Sequence, residues 1–207
     1  MSVLAKLASA LERNDERPNV ELAEALLAQP DKKAIATLAD ALTTGTVAIQ
    51  NDAIKVLYEI GARAPELVAP HARVFLTLLK SKNSRNVWGA MSAIDTIASV
   101  RAKDVAAHLK DILSAADKGS VIAKDKAMST LAKLAAAGES KAVPALLDRL
   151  EAAAPNQFPM YAELALPAVT PAHKARFTSI VETRLKTIDA PAKRARVEKV
   201  LRRLSKS

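Results

Sequence analysis

The sequence predicts an all-α protein, and three observations lead to this prediction. The first is the composition: half of the 207 residues are apolar, aromatic residues make up only 3%, and there are only five glycines. The second is that Ala and Leu dominate, and both residues lose little conformational entropy in a helix. The third observation is a repeat of 37 residues in which apolar positions recur at helical spacing. Together they predict helices that pack in a regular array.

The repeat is clearest in three segments that we interpret as first helices. "AIKVLYEI" begins at Ala53, "AMSAIDTI" at Ala90 and "AMSTLAKL" at Ala127, each 37 residues after the one before. The segments that follow keep the same spacing and are interpreted as second helices. They begin at Val68, Val105 and Ala142. Each unit is therefore a pair of antiparallel helices with one apolar face.

A single helix pair cannot bury its apolar face alone, whereas stacked pairs form a continuous core. The prediction is an α-solenoid of about five helix pairs with a capping helix at each end. One domain is expected over 1–207, with an N-terminal capping helix in 1–19, repeats in 20–190 and a basic C-terminal capping helix in 191–207. The expected helices are 2–13, the pairs 20–28/32–43, 47–61/66–80, 85–99/104–115, 121–137/141–153 and 159–169/172–187, and finally 191–205.

The fifth pair is the least regular part of the predicted array. Pro167 falls inside its expected first helix, where proline removes a backbone hydrogen bond and clashes with the preceding turn. We expect this helix to be shortened or kinked there.

The segment "AIKVLYEIGARAPELVAPHARVFLTLL" resembles a HEAT repeat of the armadillo/HEAT superfamily. It has an Ala-led first helix, a turn containing "PEL" and an apolar second helix, and the resemblance extends over roughly residues 20–190. Members of the superfamily include transport receptors, phosphatase scaffolds, chromophore lyases and DNA glycosylases. The resemblance therefore implies a fold without implying one activity. Because a solenoid normally acts through its surface, we expect a non-enzymatic interaction module.

Composition excludes several classes of protein. There is no cysteine, which removes disulfide frameworks, thiolate metal sites and cysteine nucleophiles. The N-terminal sequence lacks the long apolar core of a signal peptide, because Lys6, Glu12 and Arg13 interrupt it. No window approaches 18 uninterrupted apolar residues, so no membrane association is expected. We expect a cytoplasmic protein.

The formal net charge of +9 is concentrated at the C-terminus. From Lys174 to Ser207 there are eleven Lys or Arg against three acidic residues, whereas the rest of the chain is nearly balanced. Val197, Val200, Leu201 and Leu204 form one apolar stripe in this segment, which indicates a docked helix with a charged outer face. The candidates for contact with an anionic partner are Lys193, Arg194, Arg196, Lys199, Arg202 and Arg203.

A protein partner is expected on the face made by the second helices. The candidates there are His71, Arg73, Thr77, His108, Lys110, Asp111 and Arg149. Trp88, the only tryptophan, is an additional candidate because it does not occupy a core position of the repeat. Isolated aromatic residues at interfaces are common binding anchors.

Basic residues also recur in the loops and turns, in two sets that a stack would align along its edges. One set comprises Arg63, Arg101, Lys103 and Lys141, and the other comprises Lys80, Lys82, Arg85, Lys118, Lys124 and Lys126. Such rows can follow a phosphate backbone, so nucleic acid is the alternative partner. The other interpretation is that these side chains keep the loops solvated.

Enzymatic alternatives have less support in the sequence. His71 and His108 occupy equivalent repeat positions, but the next unit has Ala145 there, and no further metal ligands accompany them. Asp111 and Asp148 are also equivalent, a pattern more typical of a repeated polar surface than of an acid/base pair. A DNA glycosylase or lyase related to HEAT proteins is the third option. No catalytic residue, cofactor or metal is expected.

Overall fold

The computed structural model describes residues 2–206, and this part of the chain is helical without any β-strand. Met1 and Ser207, which the predicted domain also included, lie outside the described residues. The α-helices are α1 Arg17–Ala28, α2 Lys32–Thr44, α3 Val47–Arg63, α4 Pro65–Val68, α5 Ala72–Leu78, α6 Ser84–Ile97, α7 Ala102–Ala107, α8 Leu109–Lys118, α9 Val121–Ala136, α10 Ala142–Glu151, α11 Phe158–Ala165, α12 Pro171–Leu185 and α13 Pro191–Leu204. Short 3-10 segments occupy Val3–Lys6, Ser9–Leu11, Ala69–His71 and Leu166–Ala168.

The chain divides into two compact units, and the division falls after Ala127, inside α9. The first unit contains the helices up to α8 and the start of α9. The second contains the remainder of α9 and α10 to α13. The assignment of the whole chain to one domain stays a prediction.

Helix α3 lies at the centre of the first unit, where it packs against α1, α2 and α6. Its apolar side is fully enclosed, as Leu57 and Ile60 show with no exposed surface. Helix α6 approaches α3 closely at Gly89, where an added Cβ would lie 2.8 Å from the Ile54 side chain. A larger residue at this helix crossing would therefore force the buried Ile54 side chain to shift. Helix α6 also packs against α5.

The predicted repeat positions are the buried ones. Ala53, Ala90 and Ala127 have no exposed surface, and neither have Leu57, Ile94 and Leu131, which follow each of them by four residues. The first turns of α2, α3 and α6 are capped by the side chains of Asp31, Thr46 and Asn83, which accept backbone N–H hydrogen bonds.

The N-terminal segment differs from the α-helix expected over residues 2–13. It forms two 3-10 turns, Val3–Lys6 and Ser9–Leu11, and Glu12 ends the second in the left-handed region at φ 55°. The reason is a set of long-range hydrogen bonds. Asn19 Oδ1 accepts from the Ala8 N–H at 2.9 Å, and Asp52 Oδ2 accepts from the Ser9 N–H at 2.7 Å. These N–H groups are thus bonded outside the helical ladder.

Two predicted second helices are interrupted, and both interruptions end at a histidine. The segment predicted as 66–80 changes to a 3-10 turn at Ala69–His71, where Pro70 has no N–H to donate. The segment predicted as 104–115 is divided at His108 into α7 and α8. The His108 Nδ1 lies 3.0 Å from the Asp104 carbonyl oxygen, a bond that requires a proton on Nδ1. The imidazole thus takes the acceptor that a continuous helix would have used.

In the second unit, α11 ends at Ala165 and a 3-10 turn containing Pro167 follows, so the helix is shortened as expected. Helix α13 packs against α11 and α12. It buries Val197, Val200 and Leu204, three of the four residues in the predicted apolar stripe, and leaves Leu201 half-buried. No helix within residues 2–206 has the length and apolar character needed to cross a bilayer.

Candidate functional site

A groove of about 830 Å³ opens on the first unit. It is formed by the turn that follows α5, the start of α6, the end of α8 and the first turn of α9. We call it the Trp88 groove. Its apolar lining residues are Leu79, Val87, Trp88, Ala115, Ile122 and Ala123, and its charged ones are Lys80, Lys82, Asp111 and Lys118; short residues such as Ser84, Ser114 and Ser120 complete it.

One apolar side chain of the groove lining is exposed to solvent. Ile122 is 44% exposed, and Val121, which precedes it outside the lining, is 53% exposed. Both lie at the start of α9, and they are among the few large apolar side chains that the described residues leave exposed. Adjacent exposed apolar residues beside a half-buried tryptophan are typical of an interaction site.

Trp88 is held in position by neighbours on two helices. The ring of Tyr58, on α3, lies 6.0 Å from the Trp88 ring at an interplanar angle of 51°. The Arg85 guanidinium, one turn earlier on α6, lies 5.9 Å from the Trp88 ring centroid, within the range of a cation–π interaction. The indole is therefore preorganised, which reduces the entropy lost when a ligand packs on it.

An ionic cluster behind Trp88 fixes these supporting side chains. Glu16 accepts salt bridges from both Lys55 and Arg85, and Lys55 also pairs with Glu59 at 2.6 Å. Burial opposes the charge on Lys55, but hydrogen bonds to Glu59 and Tyr58 outweigh it and raise the pKa of the ammonium group. Burial raises the pKa of Tyr58 as well. Lys55 is therefore a cation and Tyr58 a neutral phenol at neutral pH.

The charged rim of the groove is mainly basic. Lys80 forms a salt bridge of 3.3 Å with Asp111. Lys82 and Lys118 are exposed, and neither has a salt-bridge partner among residues 2–206. The rim thus carries two uncompensated positive charges beside an apolar floor.

Of the residues predicted for a partner surface, the groove brings together Trp88 and Asp111. Arg73, Thr77 and His108 are exposed on second helices outside the groove lining. His71 is half-buried, and burial lowers the pKa of its imidazole. Lys110 borders a shallow depression on α8 with Leu109 and Leu113.

Arg149 belongs to the second unit, where it is half-buried and bonded to other residues. It occupies the repeat position that Phe75 and Ile112 fill as fully buried residues. Asp148, which occupies the position equivalent to Asp111 in the next repeat, forms a salt bridge with Arg176 at 2.7 Å. Asp148 is thus part of a surface ion pair.

The basic residues of α13 fall into two groups. Arg196 donates two hydrogen bonds to Glu163 at 2.9 and 2.6 Å, Arg194 pairs with Glu198, and Lys193 donates to Asn156. The exposed residues Lys199, Arg202 and Arg203 have no hydrogen-bond or salt-bridge partner for their side chains in the described part of the chain.

Metal-ligating residues do not gather in residues 2–206, where no group of three or more His, Asp or Glu side chains is placed to hold an ion. His71 ends the 3-10 turn before α5, and His108 lies between α7 and α8.

Sequence reasoning missed Ile122 and Val87 as parts of the site. A signal was present for Ile122, because the equivalent position one repeat earlier is Arg85, a surface residue. An isoleucine in a surface position of a helical repeat indicates either packing or binding. We predicted a row of cations along one edge of the solenoid that includes Lys80, Lys82 and Lys118. We did not predict that these three lysines lie in one groove with Trp88.

Known proteins match this chain at the level of structure. No protein-family model matches the sequence, and no curated protein matches it. Two engineered proteins of known crystal structure superpose with TM-scores of 0.65 and 0.62, at 18% and 19% identity; the first match covers 100% of both chains, and the second covers 100% of this chain and 98% of that one. A designed armadillo repeat protein in complex with the peptide (KR)4 superposes with a TM-score of 0.64 and 15% identity, covering 96% of this chain and 98% of that chain.

The chain has an armadillo/HEAT-like helical repeat fold. This confirms the all-α solenoid that the 37-residue period predicted. At these identities the armadillo-like similarity establishes the fold and leaves the partner to be argued from the groove itself.

Proposed function

We propose that this chain is a non-enzymatic repeat module that binds a protein partner through the Trp88 groove. The observation that carries the proposal is the preorganised, half-buried Trp88 beside the exposed Ile122 in an open groove. Tryptophan is enriched among the residues that dominate binding energy, and a concave apolar site with a polar rim accepts a peptide side chain.

The fold supports this proposal. Helical repeats present extended surfaces on a preformed scaffold, and a designed armadillo repeat protein with this fold has a structure in complex with a peptide. The chemistry of the groove points the same way. Its charged residues are lysines and one salt-bridged aspartate, so it offers contacts and charge but no nucleophile paired with a base.

The second-helix face is the competing surface, because the sequence predicted contacts at His71, Arg73 and Thr77. Arg73 and Thr77 are exposed, but Phe75, the aromatic residue between them, is fully buried and offers no anchor to a partner. The groove combines apolar area with Trp88 and is therefore the stronger site. Nucleic-acid binding by the basic C-terminal segment stays a prediction from the sequence.

The test is a selection of displayed random peptides on the immobilised full chain, followed by affinity measurements on the enriched peptides. Trp88→Ala should weaken their binding by about 30-fold, the loss typical of a central anchor. Arg73→Ala and Thr77→Ala are the matched controls and should leave binding within about twofold. Loss of binding in the two controls but not in Trp88→Ala would move the site to the second-helix face. A selection without any Trp88-dependent peptide would overturn the proposal.

A further inference from the structure

The rim of the Trp88 groove specifies the charge of its partner. From the two unpaired lysines beside the apolar floor, we infer that the groove binds an acidic peptide segment in which an apolar side chain packs on Trp88 and Ile122. The inference rests on the proposed function and adds the chemical class of the ligand.

The rim of the groove carries more positive than negative charge. Lys80 is neutralised by Asp111 at 3.3 Å, whereas Lys82 and Lys118 have no salt-bridge partner among residues 2–206. Both lysines line the same groove and are exposed. A ligand carboxylate that approaches either one forms an ion pair without breaking an existing pair. A basic ligand would instead meet uncompensated like charge, which costs affinity.

The floor of the groove is apolar. The Val87 and Ile122 side chains and the indole of Trp88 line the groove together, and Ile122 is 44% exposed. An entirely acidic ligand would leave this surface without a partner. An apolar residue flanked by Asp or Glu satisfies both features, because the apolar side chain covers the floor while the carboxylates reach the rim.

Arg85 also lies beside Trp88, but it already has an acidic partner within the protein. Its guanidinium pairs with Glu16 and stacks near the indole, so its charge is compensated within the protein. The Glu16 carboxylate in turn is shared with Lys55. Lys82 and Lys118 are therefore the cations that remain for a ligand at this site.

The inferred ligand differs in charge from the peptide bound by a protein of similar fold. The structure of the designed armadillo repeat protein of similar fold is a complex with (KR)4, a wholly basic peptide. The rim of the Trp88 groove has the opposite preference, since its uncompensated charges are positive. We therefore expect this chain to discriminate against a (KR)4 peptide at this groove.

The test uses three synthetic peptides that share a central leucine and phenylalanine, flanked by Glu, by Gln or by Lys. Binding to the full chain is followed by the fluorescence of Trp88, the only tryptophan in the sequence. The Glu peptide should bind about tenfold more tightly than the Gln peptide at about 50 mM salt. The advantage should shrink at about 300 mM salt, because exposed pairs are screened.

Two double variants distinguish the effect of the rim lysines from the effect of the protein's net charge. Lys82→Glu with Lys118→Glu should abolish the advantage of the Glu peptide and favour the Lys peptide. The control is Lys32→Glu with Lys103→Glu, which changes the net charge equally at exposed positions outside the groove lining. Both control residues lie in the first turn of a helix, where glutamate is tolerated. This control should keep the preference of the unmodified chain.

The outcomes distinguish the two proposals. Equal binding of the Glu and Gln peptides, or tighter binding of the Lys peptide, with Trp88 still responding, would overturn the acidic specificity and leave the groove as the binding site. A Trp88 signal that responds to none of the three peptides would overturn the inference. If the displayed library had also given no Trp88-dependent binder, the proposed function would be wrong as well.

Discussion

Asp52, on α3, accepts one hydrogen bond from the N-terminal turns and one from α1. It is only 8% exposed, and its carboxylate accepts from the Ser9 N–H at 2.7 Å and from the Asn19 side-chain amide at 2.8 Å. Asn19 has no exposed surface and bonds in turn to the Ala8 N–H. The two 3-10 turns therefore depend on a buried polar network in which each group has a partner.

Replacing Asp52 by alanine should destabilise the protein by about 1–3 kcal/mol, because a half-buried backbone N–H and a buried amide lose their acceptor. Urea unfolding followed by circular dichroism measures this loss. Asp40→Ala, at an exposed position on α2, should change the free energy of unfolding by less than about 0.5 kcal/mol. Equal stability of the two variants would show that the network does not hold the segment.

At the scale of elements, α13 closes the second unit with an apolar stripe. Leu204 is 4% exposed, whereas Leu201 on the same helix is half-buried. Leu204→Ala should cost about 2 kcal/mol, the low end of the usual range, because the end of a helix relaxes more easily than a core. Leu201→Ala is the matched control and should cost less. Thermal melting gives both values, and an unchanged melting temperature for Leu204→Ala would contradict a docked α13.

A salt bridge between α11 and α13 should make part of the stability depend on pH. The Arg196 hydrogen bond outweighs partial burial and holds the pKa of Glu163 below its ordinary value of 4.5. A carboxyl whose pKa is lowered in the folded state contributes stability above the ordinary pKa. That contribution is lost as the pH falls through the folded-state value.

Glu163→Gln should therefore reduce stability at neutral pH, and its difference from the unmodified chain should disappear well below pH 4.5. Chemical unfolding at a series of pH values measures this difference. Glu182→Gln is the control, because Glu182 is exposed and has no salt bridge within residues 2–206. A Glu163→Gln difference that stays constant across this range would show that the ion pair with Arg196 contributes nothing.

The order of the helices could be predicted from the sequence because local and global signals agree. Apolar residues at positions such as Leu57, Ile94 and Leu131 recur every 37 residues, and each is buried. The N-terminal turns could not be predicted, since the acceptor for the Ser9 N–H is 43 residues away in Asp52. The break between α7 and α8 arises because the His108 side chain competes with the backbone for the Asp104 carbonyl oxygen. The spacing of apolar residues along the sequence does not reveal this competition.

The candidate site could be predicted only in part. Trp88 was identified because it lies outside the core pattern, and Lys82 and Lys118 were recognised as loop cations. Their meeting in one groove depends on how the end of α8 and the start of α9 pack beside α6. Sequence spacing does not contain that information.

At the scale of the whole molecule, a repeat fold should have graded local stability. Elements in the middle of a stack contact neighbours on both sides, whereas end elements lack one neighbour. In the first unit, hydrogen exchange should be slowest in α3 and α6 and faster in the turns Val3–Lys6 and Ser9–Leu11. Mass spectrometry of exchanged peptides gives this profile. Uniform exchange across these four elements would contradict the graded stability expected of a repeat array.

The central claim is that a partner binds in the Trp88 groove, and nuclear magnetic resonance tests it most directly. The chain has one tryptophan and hence one indole N–H signal. On titration with a selected peptide, we expect the largest shifts at this indole and at the amides of Lys82, Lys118 and Ile122. Shifts that instead cluster at Arg73, Thr77 and His108, with the indole signal unmoved, would contradict it.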